Sequence, residues 1–135
     1  MPSCIAKEYP ITIHQGGTYE KDFSYSISGV NVNLQGYTGY CNIKTKQSSP
    51  SVLLAIPNGN GSFEEDGPSG IYFYQATNAE GAEIWKFKFY INDEDSLLLC
   101  PGKIDYTGFY TLYLKSAAGE VVLKLYGSAD IKASA

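Results

Sequence analysis

The chain holds a single histidine, a single tryptophan, a single methionine and three cysteines among its 135 residues. Each scarcity removes a class of chemistry. His14 is the sole imidazole, and no Gly-x-Ser-x-Gly elbow exists to expose a serine nucleophile. It reads as a strand-end residue with an ordinary hydrogen bond. Cys4, Cys41 and Cys100 are odd in number and far apart. They fit neither a disulfide framework nor a zinc site with paired C-x-x-C arms. They suit a chain made in a reducing cytosol, where thiols act as small apolar residues, and Cys41 is expected to be buried. No apolar run approaches the length that crosses a bilayer. Residues Met1 to Glu8 have neither the basic flank nor the apolar core of a secretory signal. A formal charge of −4 and lysines dispersed along the sequence exclude the broad basic footprint of a nucleic-acid binder.

What is abundant points the other way. Twelve tyrosines and six phenylalanines are punctuated by fourteen glycines and six prolines, a composition of many short strands and turns. One domain of this length encloses a single core. From Thr18 to Ile27, Tyr19, Phe23, Tyr25 and Ile27 fall on one parity and Glu20, Asp22, Ser24 and Ser26 on the other, the mark of a half-buried strand. Lys21 interrupts the apolar parity and is expected near a sheet end, where its amine reaches water. A short strand over Tyr9 to His14 precedes it, with Gln15 to Gly17 as the turn.

Tyr40 to Lys46 places Cys41 and Ile43 on one face; Ser51 to Ile56 is a brief apolar strand. Pro57 to Gly70 is rich in Asn, Gly and acids and is expected to be a long, flexible, poorly ordered loop that buries little surface. Ile71 to Gln75 resumes extended structure. In Glu83 to Ile91, Trp85, Phe87, Phe89 and Ile91 share a face opposite Ile84, Lys86, Lys88 and Tyr90, which puts Trp85 forward as the centre of the core. Asn92 to Leu99 is the one helix-like stretch, with Asn92 as its cap and three acids at its positive end. Leu97 to Leu99 are expected to pin it across the sandwich, and Pro101-Gly102 to end it. Tyr110, Leu112 and Leu114 then lead a long closing hairpin around Gly119, with a further strand after Gly127. The fold expected is all-β: a two-sheet antiparallel sandwich with one short helical turn.

Chemistry-bearing constellations are few. Glu64-Glu65-Asp66 and Asp93-Glu94-Asp95 offer oxygen ligands of the kind calcium prefers, but neither has the alternating Asp-x-Asp-x-Asp-Gly loop. The first reads as a solvated loop and the second as a helix start. A paired-carboxylate glycosidase site finds no evident cleft. The expectation is therefore no catalytic residue, no metal and no cofactor. Tyr40, Tyr72, Tyr74, Tyr90, Tyr113 and Tyr126 cannot all share one core face. With Phe63 they are the candidate interface residues, because an exposed tyrosine offers apolar area at little entropic cost. Cross-strand pairing on a sheet surface is the plainer explanation of the same rings. The alternative use is a carbohydrate-binding module with outward Tyr or Trp85 as a stacking platform; an exposed row of Tyr72, Tyr74 and Tyr90 would serve it.

Four stretches carry a resemblance. Ile11 to Tyr19 looks like an opening strand, glycine turn and second strand. Val32-Asn-Leu-Gln-Gly-Tyr-Thr38 looks like the lead into a third. Asn92 to Leu99 matches a polar helical turn ending in leucine. Gly108 to Leu114, Gly119 to Val122 and Gly127 match closing strands. On these residues the chain resembles a recurrent immunoglobulin-like domain of tailed-bacteriophage virion proteins, similar to the N-terminal module of baseplate upper proteins. The likeness spans nearly the whole chain, on scaffold motifs. Asn33 stands where an Asp is usual, and Pro57 to Gly70 looks longer than the family's connection. The resemblance implies an immunoglobulin-like sandwich over 9–135 behind an N-terminal arm at 1–8. It also implies a non-enzymatic virion protein, assembled in the host cytoplasm and present in symmetric copies on the tail, baseplate or neck, or decorating the capsid. Its partners would be other virion structural proteins and further copies of itself, without nucleic acid or membrane; a host-surface glycan belongs to the carbohydrate alternative. Ending at Ala135, the module is expected to stand alone and act by docking.

Overall fold

The computed structural model of the chain describes residues 5–46, 52–59, 62–65, 67–99 and 105–133. Among the described residues eleven strands and one short helix follow in order: β1 (Ile5–Glu8), β2 (Ile11–His14), β3 (Tyr19–Ser24), β4 (Ser26–Ile27), β5 (Val30–Asn31), β6 (Thr38–Lys44), β7 (Leu54–Ile56), β8 (Gly70–Thr77), β9 (Glu83–Ile91), α1 (Asp93–Leu97), β10 (Tyr106–Lys115) and β11 (Val121–Lys132). Two main sheets make the molecule a β-sandwich. The larger runs β1-β11-β10-β6-β7, with β2 also on β11; the smaller runs β3-β9-β8; β4 and β5 form a separate hairpin.

Strand periodicity explains the layering. Along β10, Gly108, Tyr110, Leu112 and Leu114 are buried while their neighbours are partly exposed, and β6 buries Gly39, Cys41 and Ile43 in the same alternation. These inner faces meet Ile71, Phe87, Phe89 and Ile91 of the smaller sheet in one apolar cluster. The sheets approach so closely near β6 that a Cβ on Gly39 would lie 2.7 Å from Ile71 Cγ2. Phe89 and Tyr110 meet across the layer at 6.2 Å between ring centroids. Cys41 is fully buried, and burial pushes its thiol well above the ordinary range. Cys4, Cys100, Pro101 and Gly102 lie outside the described residues.

Several expectations are corrected by tertiary packing. Residues 5–8, assigned to an arm, form β1, which pairs in parallel with Leu123 to Tyr126. The first strand breaks at Tyr9-Pro10, because proline has no N–H to donate, and resumes as β2 on Ala129 to Lys132. The Tyr9 carbonyl at the break accepts from the buried Tyr110 hydroxyl. On β11 the break faces Gly127, where a Cβ would meet the Tyr9 carbonyl at 3.2 Å. No new strand begins there: β11 is continuous. The irregular pair Val121-Val122 marks a bulge, since Leu114 faces Leu123 and Lys115 faces Val121.

The strand expected over Thr18 to Ile27 stops at Ser24. Beyond it the Asn31 side chain takes the place of a partner strand, accepting from Trp85 N at 2.7 Å and donating to Trp85 O at 3.0 Å. Ile27 is left half exposed on the β4–β5 hairpin. Lys21 sits in the middle of β3, opposite Phe89, not near a sheet end. Its amine reaches water because β3 is an edge strand. Trp85 is only partly buried, and Phe87, Phe89, Tyr110 and Leu112 hold the centre instead. Asn92 caps α1 as expected, accepting from Asp95 N. Of the three leucines that follow the acids, Leu99 alone is buried; Leu97 and Leu98 are exposed. Ser96 does the pinning, since its hydroxyl accepts from Gly16 N at 3.0 Å.

Candidate interaction surface

The outer faces of the two sheets sort the seven interface candidates into two groups. On the larger sheet, direct cross-strand register places Lys124, Tyr113 and Tyr40 in one row across β11, β10 and β6. Tyr40 and Tyr113 stack with ring centroids 4.9 Å apart. Phe109 and Tyr126 make a second, tilted pair at 6.4 Å. Lysines complete the array: Lys115 Nζ lies 5.5 Å from the Tyr40 centroid, and Lys124 Nζ lies 6.0 Å from Tyr113 and 5.7 Å from Tyr126. Burial, and then the neighbouring Tyr113, pushes the Tyr40 hydroxyl above its ordinary pKa. Phe109 escaped the sequence reading. Its parity with Tyr113 on β10 was the available signal.

Lys115 and Lys124 flank the stacked pair, while Lys44 lies on the same outer face six residues along β6 from the Thr38 that faces Lys115, so the three lysines share a face without forming a local basic patch. The ring faces are largely taken: Tyr40 and Tyr113 cover one another, and ammonium groups sit over Tyr40, Tyr113 and Tyr126. What the surface offers a partner is ring edges, hydroxyls and lysine amines. That pattern suits a protein surface better than the open ring face on which a sugar stacks.

The smaller sheet holds the other four candidates, and two of them are corrected. Tyr72 and Tyr90 are 4 % and 2 % exposed, because Phe63 folds back over both rings at 5.6 and 4.8 Å. The Tyr72 hydroxyl donates to the Pro68 carbonyl at 2.6 Å. The exposed row of Tyr72, Tyr74 and Tyr90 that a sugar-stacking platform would need is therefore not there. The same contact corrects the view of Pro57 to Gly70 as a segment that buries little. Asn58 forms a parallel bridge to Ile71, Gly59 N donates to Ile71 O, and Asn58 Oδ1 accepts from Gly39 N. Residues 60, 61 and 66 lie outside the described set.

Tyr74 and Phe63 border an ion network. Lys88 Nζ lies 3.2 Å from Glu20 and 3.1 Å from Asp22, and 4.8 Å from the Phe63 centroid. The Tyr74 hydroxyl donates to Asp22 Oδ1 at 2.7 Å. Burial alone would raise the Asp22 carboxyl. The hydrogen bonds from Tyr74 and Lys88, with the charges of Lys88 and Lys86, outweigh it and hold the group below the usual range. Burial and the Asp22 bond push the Tyr74 hydroxyl upward. A shallow cavity of about 320 Å³ lies among Phe63, Tyr72, Tyr74 and Lys88. A second, of about 290 Å³, opens between the β1 and β3 edges against Phe23, Phe87, Leu123 and Leu125.

His14 is exposed at the end of β2, and its carbonyl accepts from Gly17 N. Glu64 and Glu65 are exposed. Asp93, Glu94 and Asp95 form the first turn of α1, and Asp95 accepts from Ser69 at 2.5 Å. Among the described residues no group of three His, Cys, Asp or Glu side chains is placed to hold a metal ion. No model of a known protein family matches the chain, and no curated protein matches its sequence.

Proposed function

We propose that this chain is a non-enzymatic structural protein of a tailed-bacteriophage virion, an immunoglobulin-like module that docks in symmetric copies on the tail, baseplate or neck, or on the capsid. The observation that carries the docking role is the aromatic and lysine array on the outer face of the larger sheet. Tyr40, Phe109, Tyr113 and Tyr126 lie opposite the core-facing residues of their strands, so the core does not need them. Cross-strand pairing stabilises a sheet by tenths of a kcal/mol to about 1 kcal/mol per pair. That accounts for the two ring pairs one at a time; their gathering with Lys115 and Lys124 on one outer face is what the ladder itself does not require. Aromatic rings are the residues that interfaces concentrate.

The virion context rests on the resemblance, and the element order supports it. Ile11 to Tyr19 spans β2, a turn and the start of β3, and Gly108 to Val122 spans the hairpin of β10 and β11. The order β1/β2-β11-β10-β6-β7 facing β3-β9-β8 is compatible with an immunoglobulin-like connection. Its partners on this reading are neighbouring virion proteins and further copies of itself.

Mass spectrometry of purified particles from the genome that encodes the chain should find it in stoichiometric amount. The pair Tyr113→Ala and Lys124→Glu should fold yet be depleted from particles. Absence of the wild-type chain from particles would overturn the reading. A glycan array should return no binding, since the ring faces are covered.

A further inference from the structure

Every open sheet edge carries unpaired main-chain groups that invite another strand, and proteins blunt such edges with charge, proline, brevity or cover. Of the four edges of the two main sheets, as the described residues form them, three are blunted. The β1/β2 edge is interrupted at Tyr9-Pro10, and proline brings no donor. β7 is three residues long. β3 carries Glu20, Lys21 and Asp22 in succession, with Lys21 on the parity that faces inward. The remaining edge, β8, runs for eight residues as Gly-Ile-Tyr-Phe-Tyr-Gln-Ala-Thr, without a charge or a proline.

Hydrogen-bond direction shows which part of β8 is open. Ile71 already uses its outward groups, its N–H on the Pro57 carbonyl and its own carbonyl on Gly59 N. In an antiparallel ladder the residues that point outward recur at every second position. Phe73, Gln75 and Thr77 therefore point away from β9, and among the described residues no main-chain group meets them there. Beyond Thr77 the chain turns at Asn78, whose N–H bonds Ala82 O. The open window is thus Phe73 to Thr77, and Gln75 is its centre.

We infer that β8 pairs antiparallel with β8 of a second copy of this chain, about a twofold axis through Gln75. The inference deepens the proposed function, resting on its symmetric copies and naming one partner. Gln75 then faces Gln75 of the other copy and Phe73 faces Thr77, which uses every open group in the window through about six main-chain hydrogen bonds. A register centred elsewhere leaves some of them unpaired. An uncharged strand suits self-pairing because no like charges are set opposite one another. The two smaller sheets become one continuous sheet across the axis.

The test is sedimentation of the purified full chain from micromolar concentration to about 1 mM, with circular dichroism as a check on folding. Wild type should self-associate, and the association should be indifferent to added salt, since no charge takes part. Gln75→Pro removes an N–H that the β8–β9 ladder does not use, so the fold should survive while dimerisation weakens by at least about tenfold. Gln75→Lys keeps the backbone intact and places like charges opposite; it decides the matter should the proline variant misfold. Mixing Gln75→Lys with Gln75→Glu should restore a dimer.

A monomeric wild type, unchanged self-association of Gln75→Lys, or association abolished by salt would each overturn the inference. Particle composition separates the two proposals. A monomeric chain still found in particles sinks only the β8 pairing. A β8 dimer absent from particles sinks the virion reading.

Discussion

Replacing Gly39 by alanine tests a close approach of the two sheets. The new methyl would lie 2.7 Å from Ile71 Cγ2, 3.0 Å from Ile71 Cβ and 3.2 Å from Leu114 Cδ2, with β6 and β8 both anchored in their own ladders. Overpacking of this kind costs about 1–3 kcal/mol. Restricting the unfolded chain returns about 0.4–1 kcal/mol, so the net destabilisation by Gly39→Ala should lie between about 0 and 2.6 kcal/mol. The hydrogen bond from Gly39 N to Asn58 Oδ1 is kept, so the effect is steric.

Ile71→Leu removes the branch that the methyl strikes and should cost less than about 1.5 kcal/mol alone. The double variant should therefore be more stable than the two single changes summed, by about 1 kcal/mol. Urea unfolding of the four proteins measures this directly, with thermal midpoints moving by roughly 4 °C per kcal/mol. A stabilising Gly39→Ala, or strictly additive changes, would mean that β6 and β8 do not pack as described.

Two further outcomes follow from the smaller sheet. Phe63→Ala should uncover Tyr72 and Tyr90, raising tyrosine quenching by acrylamide and costing about 1–2 kcal/mol for a half-buried ring; unchanged quenching would show that Phe63 is not their cover. Asp22 has a carboxyl held below its usual range, so the stability it contributes is present above the unfolded-state value near 4 and is lost as pH falls through the lower folded value. The gap in urea midpoint between wild type and Asp22→Asn should be open at pH 7 and close on acidification below about 4. A gap unchanged down to the acid limit would exclude the Lys88 and Tyr74 contacts as its source.

The strands of the closing hairpin were legible because their code is local. Tyr110, Leu112 and Leu114 alternate with polar or half-exposed neighbours, and a period of two needs no knowledge of what lies across the sheet. The same holds for Glu83 to Ile91, whose bounds agree with β9, and for the Asn92 cap, where a side chain and an N–H three residues on are contiguous in sequence. The strand breaks were harder. Pro10 was visible, but the Tyr110 hydroxyl that donates to the Tyr9 carbonyl is 101 residues away. Asn31 stands 54 residues from the Trp85 main chain that it completes.

The candidate surface was half legible for the same reason. Seven aromatic residues could be named as more than the core required, but parity does not tell an outer face that is open from one that is covered. Tyr72 and Tyr74 share parity on β8, yet Phe63 buries the first and leaves the second at the rim. Lys115 and Lys124 looked dispersed until register placed both beside the stacked pair.

By itself, then, the order of residues determined that the chain is all-β, which side chains face inward along β6 and β10, and where the helical turn begins. These depend on neighbours two to four positions apart. Tertiary structure alone decided which rings stack, which lysines flank them, which tyrosines vanish beneath Phe63 and which sheet edge stays open. Each of those depends on strand order and register, which join residues distant in sequence through main-chain hydrogen bonds that any side chain can make.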